Sequence, residues 1–93
     1  MNIILNKFGT TLTSRQTGRE AYNAIRPLLS EVKSDENIEI DFIGVVTFSP
    51  SWADEFLTPM KDQFKNRMIL KKTDNPSVIA TMELLDSIRN NDL

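Results

Sequence analysis

The sequence predicts an α/β fold: a small mixed or mostly parallel four-stranded sheet with three helices mainly on one face. Three observations predict it. Short β-branched runs alternate with amphipathic stretches, the segment from Ile38 to Phe42 is apolar at every second position, and the amphipathic stretches open on residues suited to capping a helix. Strands that alternate with helices favour parallel pairing through right-handed crossovers.

The first element is Met1 to Leu5, short, apolar and partly β-branched, which reads as a strand. Gly9 punctuates Lys7 to Thr13, a segment compatible with a turn and a second short strand. Ser14 is the expected N-cap of the first helix. Behind it Gly18, Ala21, Tyr22, Ile25, Leu29 and Val32 recur at spacings of three and four and form one stripe. Pro27 lies inside that stretch and is expected to kink or break it. After the polar turn Ser34 to Asn37, Ile38, Ile40 and Phe42 alternate with Glu39 and Asp41, which predicts a strand with one buried face. Gly44 interrupts it and Val45 to Phe48 continue it. Ser51 with Asp54 three residues on has the form of a capping box. Trp52, Phe56, Met60 and Phe64, flanked by Ala53 and Leu57, then form the apolar face of a second helix, strained by Pro59. Arg67 to Lys72 is a short strand with charged ends. Asn75-Pro76 supplies a cap and a proline at the first helical position, opening the last helix along Val78, Ile79, Met82 and Leu85.

With 93 residues the chain is expected to be one domain, residues 1–93, with a modest core. A hydrophobic fraction of 40%, a charged fraction of 26% and a mean hydropathy of −0.29 are those of an ordinary globular protein. The opening MNIILNKFG does not have the pattern of a secretory signal. The chain has no cysteine and no histidine, which removes thiol nucleophiles, disulfides, most zinc sites and the commonest general base. A net charge of −2 without a basic tail argues against strong nucleic-acid binding. No membrane role is expected, and the absence of cysteine fits a cytoplasmic protein.

In a parallel sheet each helix starts at the carboxyl end of the preceding strand. Ser14, Ser51 and Asn75 are therefore expected along one edge, where open α/β sheets place ligands and helix N-termini favour anions. The polar candidates there are Ser14, Arg15, Ser49, Ser51, Asp54, Glu55, Thr73 and Asp74. A serine nucleophile needs a base, and the sequence singles none out. Asp41, Asp54, Glu55 and Asp74 have the chemistry for Mg2+, yet lone acids near strand ends are usually caps. No phosphate-cradling glycine motif is present. Neither a catalytic residue nor a metal ligand nor a cofactor is assigned. Arg15, a cation in the first turn of its helix, sits against the dipole; it is a solvated side chain, a partner for an acid on the neighbouring edge, or an anion contact. Trp52 is either core or a partly exposed anchor for a partner. Lys61, Lys65, Arg67, Lys71 and Lys72 read as a solvated face guarding an edge strand.

Four motifs in order carry a resemblance: Phe8-Gly9, Leu12-Thr13-Ser14-Arg15, Asp41-Phe42-Ile43-Gly44-Val45, and Ser49-Pro50-Ser51-Trp52-Ala53-Asp54-Glu55. The chain resembles the uncharacterised STAS-like domain family, related to the STAS domains of bacterial anti-sigma factor antagonists, over roughly residues 3 to 86. The resemblance implies a regulatory module without catalysis. Its partner would be an ATPase or serine kinase of the histidine-kinase fold, and Ser51 would match the phosphoacceptor. Ser49 stands where antagonists carry an aspartate, and Trp52 where they carry a glycine.

Ser51 thus has two readings, a plain cap worth about 1 kcal/mol or a partner-binding and switching residue. A phosphate there gains from the helix N-terminus but meets Asp54 and Glu55 in the first turn, so it is expected to disturb that turn. Ser49, Ser51, Trp52, Asp54, Glu55 and Arg15 are the expected partner-binding or phosphoacceptor residues. The runner-up is a constitutive interaction subunit of a larger bacterial or phage assembly, without phosphorylation. A small Mg2+- or phosphate-dependent enzyme comes last.

Overall fold

The computed structural model describes residues 1–91. Five strands and three α-helices follow one another as β1 (Asn2–Ile4), β2 (Thr11–Leu12), α1 (Arg15–Leu29), β3 (Ile38–Asp41), β4 (Thr47–Phe48), α2 (Pro50–Phe64), β5 (Met68–Leu70) and α3 (Pro76–Asn91). The expected α/β architecture with parallel strands is present. Strands β1, β3 and β5 form one parallel sheet with β3 in the middle, and β2 and β4 form a parallel pair.

The two sheets share one logic. Segment β1–β2 runs alongside segment β3–β4, so Ile3 pairs with Ile40 below and Leu12 with Phe48 above. Between the pairs both segments leave the ladder, the first through a 3-10 turn at Leu5–Phe8 and the second around Gly44. The interruptions meet face to face. Gly44 has φ +80°, and a Cβ there would lie 2.6 Å from Asn6 Nδ2, so a glycine is needed on both counts. The expected four-stranded sheet is therefore divided into three strands and two, because the chain breaks its ladder at Asn6 and Gly44.

Helix α3 takes the place of a further strand beside β4. The Phe48 amide donates to Ser77 Oγ (2.9 Å), and the Phe48 carbonyl accepts from Ser77 Oγ (3.2 Å) and Thr81 Oγ1 (2.6 Å). Side-chain hydroxyls thus satisfy backbone groups that a two-residue strand would otherwise leave unpaired.

Alternation along the strands separates a dry face from a wet one. Ile3, Ile38 and Ile40 are buried, whereas Asn2 and Ile69 are exposed and Glu39 is half-buried. The helices supply the rest of the core. From α1 come Ala21, Ile25 and Leu29, and from α2 come Trp52, Ala53, Phe56, Leu57, Met60 and Phe64. Val32 lies beyond the end of α1 and is half-buried against this cluster. An aromatic chain runs through it: Trp52 stacks on Phe56 at 4.8 Å, Phe48 lies 5.7 Å from Trp52, and Phe42 meets Phe48 edge-on at 5.3 Å. Neither proline breaks its helix. Pro27 falls in the last turn of α1, where little of the ladder remains to be lost, and α2 continues through Pro59 to Phe64. Among the described residues no helix is long and apolar enough to cross a membrane.

Candidate functional site: the rim where helices begin

The three α-helices start close together because their first turns are tied to the same strand ends. Ser14 caps α1, its Oγ accepting from the Thr17 amide at 3.1 Å. Asn75 caps α3, its Oδ1 accepting from the amides of Ser77 (2.8 Å) and Val78 (3.2 Å). Its Nδ2 donates to the carbonyls of Val45 (2.7 Å) and Val46 (3.3 Å), which fixes the β3–β4 connection against α3.

The cap of α2 is Ser49, not Ser51. Ser49 Oγ accepts from the Trp52 amide at 3.2 Å and donates to the Thr13 carbonyl at 2.7 Å, joining the start of α2 to the residue before Ser14. The reason is Pro50. Its fixed φ and missing N–H suit the first helical position, so the residue before it becomes the cap. Ser51 then falls at the second helical position, and the expected box with Asp54 does not form. Asp54 turns along the helix instead, accepting from Thr58 Oγ1 at 2.9 Å.

Trp52 is 1% exposed, at the head of the buried face it shares with Phe56, Met60 and Phe64, so the reading of Trp52 as core holds and the reading as an exposed anchor for a partner is overturned. Helix α1 passes directly over it. A Cβ on Gly18 would lie 2.7 Å from the Trp52 carbonyl oxygen, so this crossing requires glycine.

Arg15 meets acids of the neighbouring helix. Its Nη1 lies 3.1 Å from Asp54 Oδ2 and 3.0 Å from Glu55 Oε1, and Arg19 Nη2 lies 3.2 Å from the same Glu55 oxygen. The two guanidiniums therefore clamp two adjacent carboxylates across the α1–α2 seam. Arg19 first and Arg15 second hold the Glu55 carboxyl below the usual carboxylate range, and Glu55 and Asp54 raise Arg15 above its ordinary value. Contact with the acids accounts for a cation in a first turn. Arg19 is not among the residues expected at the site, although its spacing of four from Arg15 on one helix face is visible in the sequence.

Ser51 is half-buried and stands at the mouth of a groove of about 450 Å3. Arg15 lines it from α1, Asp54, Thr58 and Asp62 from α2, and Leu85 and Ile88 from α3. Among the described residues no hydrogen-bond partner is seen for the Ser51 hydroxyl. A second crevice, of about 670 Å3, opens at the carboxyl ends of β3 and β5, between Asp41–Val45 and Lys72–Asn75. There Asp41 Oδ1 accepts from the Ile43 amide (3.0 Å) while Oδ2 faces Lys71 Nζ (3.6 Å). Thr73 Oγ1 accepts from the Asn75 amide at 3.1 Å, and Asp74 is exposed beside it. Of the acids considered for Mg2+, Asp54 and Glu55 come together and Asp41 and Asp74 flank the other crevice. No group of three His, Cys, Asp or Glu placed to hold a metal ion occurs among the described residues.

Fold and rim together define a class: a small α/β domain whose helix N-termini converge on the strand ends and leave one serine hydroxyl open to solvent. The family model of the STAS-like domain of unknown function (DUF4325) matches residues 20–78, and the chain belongs to that family. The matched segment contains Ser49 to Glu55, whereas Arg15 precedes it. No curated protein and no solved structure matches the chain.

Proposed function

We propose that this STAS-like domain is a non-catalytic regulatory module of the cytoplasm that binds a protein partner through the rim from Ser49 to Glu55 and the groove beside it. The proposed partner is an ATPase or serine kinase of the histidine-kinase fold, and Ser51 is the proposed acceptor. Neither nucleic acid nor membrane is part of this reading. The observation that supports it best is the uncommitted Ser51 hydroxyl, next to the cap Ser49, whose own hydroxyl is fully engaged. In the transfer the Ser51 oxygen bonds to the γ-phosphorus of ATP as the bond to the ADP oxygen breaks, and the hydroxyl proton passes to a base of the kinase.

Exposed apolar residues of α3, Leu84 (46%) and Ile88 (49%), of which Ile88 lines the groove, favour a second reading, a constitutive interface within a larger bacterial or phage assembly. One experiment separates the two. The chain is incubated with Mg-ATP and a kinase of that fold from the same cell, and modified residues are mapped by mass spectrometry. Phosphate on Ser51 that disappears in Ser51→Ala is the expected result. A stoichiometric complex that ignores ATP, with Ser51 unmodified, would refute the switch and leave the constitutive interface.

A further inference from the structure

We infer that Arg15 is the residue that receives a phosphate on Ser51, exchanging its two carboxylate partners for it. This deepens the reading above and rests on it. Ser51, Asp54 and Glu55 stand at i, i+3 and i+4 of α2 and so share one helix face. Side chains on a helix lean toward its N-terminus, which brings the two carboxylates and the guanidinium they hold toward Ser51. Arg15 and Ser51 already line one groove.

The clamp is built so that Arg15 can leave it. Glu55 keeps Arg19 at 3.2 Å, and Asp54 keeps the Thr58 hydroxyl at 2.9 Å. Arg15 is the only contact the two carboxylates share among the described residues. A phosphoserine offers a planar guanidinium three oxygens and a charge near −2, and the N-terminus of α2 adds its own attraction for the anion. The neighbouring charged groups are Arg15 and Arg19 from α1 and Asp54, Glu55 and Asp62 from α2; α3 contributes the apolar Leu85 and Ile88. In the unmodified chain the two guanidiniums balance Asp54 and Glu55. After modification the same cluster carries about two further negative charges, and Asp54 is left without a cation. A partner docked on the unmodified rim would then face a much more negative one.

The test uses full-length chain carrying phosphoserine incorporated at position 51 during synthesis, so it does not depend on any kinase. The second ionisation of the phosphate is followed by 31P NMR against pH. Arg15→Gln should raise that pKa by about one unit relative to the chain with Arg15, and Arg15→Lys should restore part of the shift. Arg19→Gln should move it clearly less. An unchanged phosphate pKa in Arg15→Gln, or an equal response to Arg19→Gln, would overturn the exchange. Failure of every kinase to label Ser51 would count against the proposed switch instead, so the two ideas fail separately.

Discussion

Helices α2 and α3 open on nearly the same words. One begins Ser49-Pro50-Ser51-Trp52 and the other Asn75-Pro76-Ser77-Val78, each a cap, a proline, a serine and a residue that is 1% exposed. The backbone treats them alike: both caps accept from the amide three residues on, and both prolines occupy the first helical position. The serines diverge. Ser77 accepts from the Phe48 amide and donates to its carbonyl, closing the edge of β4. Ser51 faces a groove with no such partner among the described residues. The same local chemistry thus builds a structural joint at one place and leaves an uncommitted hydroxyl at the other, and the difference lies in what stands opposite. A strand end faces Ser77, whereas solvent and an arginine clamp face Ser51.

Substitutions at the two starts sharpen this contrast. The largest effect is expected at Trp52, which anchors α2 behind its serine. Trp52→Ala should cost about 3–5 kcal/mol in denaturant unfolding, as large-to-small changes in packed cores do. A cost under about 1 kcal/mol would mean that the indole is not core. Next comes Gly18, whose missing side chain lets α1 cross Trp52. Gly18→Ala gains about 1 kcal/mol of helix propensity but must push backbone away from a Cβ placed 2.7 Å from the Trp52 oxygen. A net loss of about 1–2 kcal/mol is expected. NMR titration should also show the Glu55 carboxyl returning toward its ordinary range as the arginines withdraw.

The smallest effect is on pH dependence. Glu55 is held below its ordinary pKa by Arg19 and Arg15. Its contribution to stability is therefore fully present above the unfolded value of about 4.3 and is lost as pH falls through the lower folded value. Glu55→Gln should be less stable than the parent chain at neutral pH, with the gap closing in acid. Stability curves measured from pH 7 to pH 2 in both proteins check the sign. A gap that widens in acid would contradict it.

Much of this was legible in the sequence. Ser14 and Asn75-Pro76 are caps as read, and the apolar positions of α2 from Trp52 to Phe64 are the core. The pattern places the start of α2 two residues late, because Ser51 and Asp54 match a capping box while Ser49 has Trp52 at the matching position. The rigid ring of Pro50 outweighs that match. Gly9 and Gly44 mark where the two segments bend, but the pattern does not show that both leave the ladder at the same level, which is what divides the sheet. Only their meeting at Asn6 and Gly44 shows where the ladder breaks. The contact of Arg15 with Asp54 joins residues 39 apart. Sequence registers such a pair only as a cation in a first turn that disfavours it.

The central claim is that Ser51 is free for a partner while its counterpart Ser77 is committed to the fold. Equilibrium unfolding of Ser51→Ala and Ser77→Ala, measured side by side, tests it most directly. Loss of Ser77 strips the Phe48 amide of its partner and should cost about 1–3 kcal/mol, whereas Ser51→Ala should stay within about 0.5 kcal/mol of the parent chain. Equal losses at the two positions would contradict the account, because a Ser51 hydroxyl needed for stability is not one held open for recognition.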